Sequence, residues 1–229
     1  MKEHLSRVVL RSGETAAGAI VAMLKESSHK DSGHSLLWTL FPESDHNRDF
    51  LYREDGGSGR YLVLSARRPR DDVGLWDIET KPFQPQLRNG DRLAFALRAD
   101  ATVAIKEGTR HRGRRTGLVE YTRSSHEWAR LDRAQRNLLE CQAAREWQRS
   151  RLARNGADLD PSALEVDIEA ARRIRTSTGK GFSFNPISFR GQLRVRDAEP
   201  FRALLSNGLG RAKAYGFGMI LVRRPVSAD

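Results

Sequence analysis

The chain has 229 residues, and its 40 lysines and arginines against 29 aspartates and glutamates give a formal net charge of +11. This length suits one large or two small domains, and the basic balance favours a polyanionic partner such as a nucleic acid. Cys141 is the single cysteine, which excludes an internal disulfide and a zinc site built on cysteines. The N-terminus lacks an apolar signal core and no apolar run approaches the length of a membrane span, so we expect a cytoplasmic protein.

The first half of the chain alternates between strand-like and helix-like patterns. Residues 12–28 place apolar side chains on one helical face, and a second helical piece runs from His34 to Phe41, where Pro42 stops it. Two apolar runs that flank the glycine-rich turn 54–59 predict a β-hairpin. We find no convincing second helix in this half. The expected strands are 5–10, 50–53, 61–65, 76–83 and 92–98.

A basic run follows at residues 106–115, and it is unlike a core segment because it holds five cations, one acid and two glycines. Such runs are commonly solvated loops, but a flexible arm that lies along phosphates has the same composition. The cations are Lys106, Arg110, Arg112, Arg114 and Arg115.

The second half continues with the longest helical candidate, residues 124–155, which Asn155 and Gly156 end. Residues 164–168 alternate as a strand would, although 165–172 could also be helical. A hairpin-like turn at 176–181 carries Lys180. Residues 187–195 then form a strand that Gly191 loosens at its centre.

The last motif is a glycine-rich loop at residues 208–218, between a helix over 200–207 and a buried strand over 219–222. This order excludes a dinucleotide fingerprint, which needs strand, loop and helix, and the sequence has no P-loop. The glycines alone suit a packed structural loop, whereas the two cations within the loop favour a bound polyanion. The residues concerned are Gly208, Gly210, Arg211, Lys213, Gly216 and Gly218.

Read as a whole, the second half has the order strand, helix, strand, strand, helix, strand, which is the ferredoxin-like order. The first half could have the same order with a degenerate second helix. We therefore expect an α+β protein of two tandem ferredoxin-like (RRM-like) βαββαβ domains. The predicted domains are residues 1–100 and 101–229, and the second carries the basic arm and the glycine-rich loop.

Two groups of side chains are candidates for chemistry. His34 lies where a loop meets a helix, a position that favours a neutral imidazole able to accept a proton near pH 7, although a capping or surface role suits a lone histidine better. Three carboxylates and a histidine after the second helix could hold a divalent metal in a nuclease, but no second cluster completes such a site. These residues are Glu43, Asp45, His46 and Asp49.

Four motifs together resemble the CasE branch of the CRISPR repeat endoribonucleases, the nuclease of type I-E Cascade. The loop 208–218 is similar to that family's Gly-x-Gly-x-Ala-Lys-x-x-Gly-x-Gly, and residues 34–42 are similar to its His-x-x-Leu-Trp-x-Leu-Phe-Pro. Residues 48–52 match Arg-Asp-Phe-Leu-aromatic, and Arg98 with Ala99 match the Leu-Arg-Ala end of its first domain. The resemblance covers nearly the whole chain and is weakest at 116–142, which looks like an inserted or extended helix.

The resemblance implies cleavage of CRISPR precursor RNA at the base of a repeat hairpin, with no metal and no cofactor. The 2′-hydroxyl attacks the scissile phosphate and leaves a cyclic phosphate, and the family's catalytic histidine falls on His34. The basic arm, Lys180 and the glycine-rich loop would grip the RNA. The family member stays on its hairpin product as a Cascade subunit, and we expect a monomer outside that complex.

One departure from the family concerns the second proton-transfer group. Many relatives carry a tyrosine three residues before the histidine, where this chain has Asp31. Lys30, Ser32 or His29 could substitute for it. Two alternatives therefore stay open, a non-catalytic subunit that binds the RNA hairpin and a metal-dependent nuclease.

Overall fold

The computed structural model of the protein describes residues 3–11, 18, 32–42, 49–57, 59–105, 114–175 and 181–225. The chain forms two compact units. The first comprises Met1–Gln86, Arg173–Ser183 and Lys213–Gly216, and the second comprises Leu87–Arg172, Phe184–Ala212 and Phe217–Asp229.

The first unit is built on an antiparallel sheet of four strands in the order β2-β3-β1-β4. This is the ferredoxin-like order, and residues 66–75 between β3 and β4 form no helix, as the sequence predicted. The helix expected at 12–28 lies outside the described residues. The elements are β1 (Glu3–Leu10), α1 (Ser32–Leu37) with a 3-10 turn (Trp38–Leu40), β2 (Phe50–Glu54), β3 (Arg60–Ser65) and β4 (Trp76–Phe83).

The core of the first unit lies between α1 and one face of its sheet. Alternate residues of the strands, such as Val8 and Val63, are fully buried at 0% exposure, and α1 contributes Leu36 and Leu37. Trp76 at the start of β4 is 1% exposed, and its indole N–H donates to the hydroxyl of Thr39 at 2.9 Å. Helix α1 is therefore anchored by its apolar side, which leaves its other side to carry His34.

The second unit has the same strand order, β13-β5-β12 followed by β8 and β9, which both pair with β12. Helix α4 follows β5, and α5 joins β12 to β13, which completes a βαββαβ unit. Residues 165–168 form strand β9, so the helical alternative for that segment is wrong. The elements are β5 (Arg92–Asp100), α4 (Arg133–Arg154), β8 (Ala157–Leu159), β9 (Glu165–Ile168), β12 (Pro186–Val195), α5 (Ala198–Asn207) and β13 (Ile220–Arg223).

Strand β5 explains why the division between the units differs from the predicted join near Asp100. β5 pairs with β12 from Arg92 to Asp100 and with β13 on its other side, so it is the first strand of the second unit. The units accordingly divide after Gln86 rather than after Asp100.

The second strand of this unit is split into β8 and β9 by a 3-10 turn at Pro161–Ala163. Gly191 of β12 faces this turn, and a Cβ at Gly191 would lie 2.8 Å from the carbonyl oxygen of Ala163. The backbone of the turn therefore approaches β12 more closely than any side chain would allow.

A segment inserted between β5 and α4 has more structure than the sequence indicated. Strand β6 (Thr102–Ile105) pairs with β7 (Arg114–Gly117), so the basic run connects the two strands of a hairpin, and Arg114 and Arg115 lie in β7 itself. The single helix predicted over 124–155 is two helices, α3 (His126–Arg130) and α4, and a further helix, α2 (Leu118–Arg123), precedes them. Ser125 and Asp132 each cap a new helix, which is why the helix predicted as continuous is interrupted.

Strands β10 (Arg172–Arg175) and β11 (Gly181–Phe184) pair with each other, as the hairpin-like turn between them predicts. No helix among the described residues is long and apolar enough to cross a membrane.

Candidate functional site

His34 is the third residue of α1, and its side chain is partly exposed while Leu36 and Leu37 of the same helix are buried. Gly33 permits this arrangement, because a Cβ at that position would lie 3.1 Å from the hydroxyl oxygen of Tyr61. The helix can therefore lie close against β3 and present the imidazole on its less buried side.

Three aromatic rings surround the imidazole of His34. Trp38 meets it edge-on with ring centroids 5.9 Å apart, and Tyr52 stacks on it at 6.3 Å with an interplanar angle of 22°. Phe50 lies 6.1 Å away and packs in turn against Trp38 at 5.3 Å. The imidazole of α1 is thus held by rings from the following 3-10 turn and from β2.

The indole N–H of Trp38 donates a hydrogen bond to Nε2 of His34 at 3.1 Å. A bond in this direction requires a lone pair on Nε2, so the imidazole is neutral with its proton on Nδ1. We expected the helix start to keep His34 neutral. The structure assigns that role to Trp38, since α1 is a helix of six residues with His34 in its middle.

The middle of the glycine-rich loop belongs to the same unit as His34. The hydroxyl of Tyr52 donates to the carbonyl oxygen of Ala214 at 3.1 Å, within the 3-10 turn that Lys213 begins. Gly216 has a φ of 80°, and a Cβ there would lie 3.1 Å from Cε2 of Tyr52. Two predicted site elements, His34 and the segment 213–216, therefore both contact Tyr52.

The ends of the glycine-rich loop lie in the second unit and are held by hydrogen bonds of their own backbone. The N–H of Gly208 donates to the carbonyl of Leu204, and the N–H of Gly218 donates to that of Arg98, both at 2.8 Å. Gly208, Gly210 and Gly218 all have positive φ. The amides of Gly208 and Gly218 thus stabilise the loop, as the structural interpretation of the glycines predicts.

Arg211 is joined to a buried carboxylate. Its Nε lies 3.2 Å from Oδ2 of Asp100, whose side chain is 3% exposed, and the two residues also form an isolated β-bridge. The backbone N–H of Asn185 donates to the other oxygen of Asp100 at 3.1 Å. Burial raises the pKa of Asp100, while the bond from Asn185 and the charge of Arg211 act against that rise.

The other predicted RNA-binding residues are less fully described. Arg115 is exposed on β7, and Arg114 lies beside it on the same strand. The remaining four lie outside the described residues: Lys106, Arg110, Arg112 and Lys180.

The carboxylate cluster proposed for a metal is described only at Asp49, because Glu43, Asp45 and His46 lie outside the described residues. The guanidinium of Arg67 donates to both oxygens of Asp49, at 2.7 and 2.9 Å, and lowers the pKa of that carboxyl. No group of three or more histidine, cysteine, aspartate or glutamate side chains suited to a metal occurs among the described residues. Asp49 therefore has a structural ion pair.

A family model described as CRISPR associated protein matches residues 4–224. The chain belongs to this family. The CRISPR system Cascade subunit CasE of Escherichia coli (strain K12) is 26% identical over 195 residues, which are 82% of this chain and 88% of that protein.

Two solved structures of CRISPR-associated proteins share the fold. Thermus thermophilus Cse3, bound to an RNA representing a pre-cleavage complex, has a TM-score of 0.65 at 24% identity, and the match covers 97% of this chain and 100% of that one. Cas6e of Escherichia coli K-12 has a TM-score of 0.59 at 22% identity with the same coverage. The ferredoxin-like prediction is thereby confirmed for this CRISPR-associated protein.

Sequence reasoning did not assign roles to Trp38 and Tyr52, although both stand in the motifs around His34. The signal for Trp38 is its position four residues after His34, which places two side chains on one helical face. Tyr52 has no comparable signal, because its neighbours His34 and Ala214 are distant from it in the sequence.

Proposed function

We propose that this CRISPR-associated protein is an endoribonuclease that cleaves CRISPR precursor RNA at the base of the repeat hairpin. The observation that carries the proposal is the neutral, partly exposed imidazole of His34, held between Trp38 and Tyr52. The similarity to CasE and to Cse3, a protein solved with RNA, supports an RNA substrate.

The chemistry is attack of the RNA's own 2′-hydroxyl on the adjacent phosphate, without a metal or a cofactor. Nε2 of His34 carries the lone pair, so the 2′-hydroxyl would take the place of the Trp38 N–H and pass its proton to that nitrogen. The phosphate then closes to a 2′,3′-cyclic ester, and the departing 5′-oxygen takes up a proton. Proton transfer of this kind contributes about a hundred- to ten-thousandfold to a rate.

The cation that steadies the phosphate is better sought at Lys213 than at Arg211. Lys213 belongs to the same unit as His34, and its 3-10 turn is tied to Tyr52 through Ala214. Arg211 is already paired with Asp100, which suits a role in shaping the loop. We assign RNA binding to the loop as a whole, to Lys180 and to the basic run carried by the β6–β7 hairpin.

After cleavage the protein would stay on the hairpin of its product and enter Cascade as a subunit. This assignment follows CasE, which is a Cascade subunit. Outside that complex we expect a cytoplasmic monomer.

The test is incubation with the repeat RNA of the host's own CRISPR array in the presence of EDTA, followed by analysis of the new ends. We expect a cyclic phosphate and a 5′-hydroxyl, and a loss of about a hundredfold or more in rate for His34→Ala. Loss of cleavage in EDTA, or a His34→Ala variant as fast as wild type, would contradict the mechanism.

A second substrate separates the alternatives. RNA with a single 2′-deoxyribose at the cleavage site should resist this protein, whereas a metal-activated water would still cut it. Tight binding of intact hairpin with no product after long incubation would instead indicate a non-catalytic RNA-binding subunit.

A further inference from the structure

The inserted segment between β5 and α4 forms one side of an open pocket that has no part in the site described above. The pocket has a volume of about 880 Å³ and is lined by residues of α2, α3, the start of α4 and the end of β9. All of these residues belong to the second unit. The lining includes the side chains of Arg123, Trp128, Arg133, Arg136, Asn137 and Glu140, which can form polar or stacking contacts.

Trp128 and Arg136 form a stacked pair at the pocket wall. The guanidinium carbon of Arg136 lies 4.2 Å from the centre of the Trp128 ring system, and Arg136 also donates to the carbonyl of Trp128 at 3.1 Å. The indole N–H of Trp128 donates to Glu140 at 3.0 Å, and Glu140 is 8% exposed. The orientation of the indole is therefore fixed by Arg136 on its face and by Glu140 at its edge.

The pocket is positively charged, although two carboxylates line it. Glu140 is paired with Arg123 at 2.8 Å, and Glu169 is paired with Arg98. Arg133 is exposed at the first position of α4, and none of the described residues forms an ion pair with it. Arg133 and Arg136 thus add positive charge that the lining carboxylates do not neutralise.

A rigid tryptophan–arginine platform beside an unneutralised arginine has the chemistry that recognises an unpaired nucleotide. Unpaired bases stack on aromatic rings and on guanidinium planes, and the phosphate takes the neighbouring cation. Bases within a duplex offer no free face for stacking. An acidic peptide would use the arginines but gives no reason for the fixed indole.

We propose that this pocket binds an unpaired nucleotide of the RNA outside the hairpin, with its base on Trp128 and Arg136 and its phosphate at Arg133. This inference rests on the proposed function, because it assumes that the chain holds RNA. Binding of a nucleotide would also account for residues 116–142, the segment where the resemblance to the family is weakest.

The test compares affinities for two fluorescent RNAs, the repeat hairpin alone and the full repeat with its single-stranded flanks. We expect Trp128→Leu to weaken binding of the full repeat by about five- to hundredfold, which is the effect of losing one stacked base, with no change for the hairpin. Arg133→Gln should weaken the full repeat several-fold. Arg130→Gln is the matched control, since Arg130 is equally exposed in α3 but does not line the pocket.

Equal affinity of wild type for the two RNAs would overturn this inference and leave the proposed function standing. Equal effects of Arg133→Gln and Arg130→Gln would also overturn the inference. They would indicate that any exposed arginine attracts the RNA and that Arg133 does not bind a phosphate in the pocket. An oligonucleotide of six 5-iodouridines tests the pocket without a hairpin, and its photo-crosslink should map to the peptide that contains Trp128. Absence of that crosslink would count against the pocket even if the hairpin itself failed to bind.

Discussion

At the scale of single residues, the hydrogen bond from Trp38 decides which nitrogen of His34 carries the proton. Trp38→Phe keeps an aromatic ring against Phe50 and His34 but removes the N–H. Because the 2′-hydroxyl displaces this N–H in the proposed mechanism, its loss should act only through the tautomer of His34. We expect cleavage to slow by about two- to tenfold, with hairpin affinity unchanged. Single-turnover rates and binding measurements separate the two effects.

The same variant has a spectroscopic signature that a packing defect would not produce. The ¹⁵N chemical shifts of His34 in wild type should report a proton on Nδ1 and a lone pair on Nε2. In Trp38→Phe we expect a mixture of the two neutral tautomers. An unchanged tautomer in the variant would show that Trp38 does not position the imidazole.

Burial raises the pKa of Asp100 above the ordinary value of 3.8. The folded protein then binds the proton more tightly than the unfolded chain, so the contribution of Asp100 to stability is greatest at acid pH and falls as pH rises through this raised pKa. Asp100→Asn removes the titration but can still accept from the N–H of Asn185. Urea unfolding from about pH 4 to about pH 7 should therefore show wild type losing stability relative to the variant. A difference that stays constant with pH would contradict this account.

Contacts of single residues could be predicted from the sequence only where both partners lie close together in the chain. His34 stands in a run with a recognisable spacing, and its pairing with Trp38 spans one helical turn. The partner of Arg211 could not be predicted, because Asp100 is brought to it by strand pairing across more than a hundred residues. An arginine that looked free for RNA is therefore tied to the fold.

At the scale of elements, the turn at 213–216 supports the imidazole through Tyr52. Gly216→Ala would place a Cβ at 3.1 Å from Cε2 of Tyr52, so the ring that stacks on His34 must move by a few tenths of an ångström. We expect a loss of about 1–2 kcal/mol in stability from the positive φ and a fall of about tenfold or more in cleavage rate. Thermal unfolding and single-turnover cleavage measure the two.

Gly74→Ala is the matched control for that variant. Gly74 has a similar φ of 71° in the same unit, and a Cβ there would meet nothing within 4 Å. It should lose comparable stability and cleave at the wild-type rate. If both variants lose cleavage equally, the effect belongs to general destabilisation and not to Tyr52.

Helices and strands were predicted correctly where the turn or capping signals agree with the pattern of apolar residues, and wrongly where the two disagree. The strands at 5–10, 50–53 and 61–65 were confirmed, and the last two pair as the glycine-rich turn between them predicts. The helix over 124–155 was predicted as continuous because apolar residues recur along it, yet Leu138 is 59% exposed. The capping box of Asp132 with Gln135, three residues apart, is the local signal that marks the start of α4.

At the scale of the whole molecule, the two halves could be recognised from the sequence but their boundary could not. The order of strands and helices is local information, and it indicated two ferredoxin-like units. Strand β5 resembles any other alternating strand, and its assignment depends on pairing with β12, whose partner residues are about ninety positions away. Long-range contacts, such as the bond from Tyr52 to Ala214, also place residues 213–216 with the first unit.

The net charge of +11 belongs to the molecule as a whole and not to one contact, and it should govern how binding of RNA depends on salt. If the basic run lies along the RNA backbone, its cations displace counterions from the RNA phosphates. The logarithm of the affinity then falls linearly with the logarithm of the salt concentration, and the slope is proportional to the number of phosphates neutralised. Changing Lys106, Arg110 and Arg112 to glutamine should reduce the slope of log affinity against log salt by about 2–3.

A control with the same loss of charge replaces three exposed arginines elsewhere with glutamine, namely Arg68, Arg88 and Arg202. Both variants lower the net charge by the same amount, so a general effect of charge on encounter with RNA should weaken binding similarly in each. Counterion release requires close contact with phosphates, and only the variant in the basic run should therefore change the salt slope. Equal slopes for the two variants would show that the basic run attracts RNA at a distance without lying on its backbone.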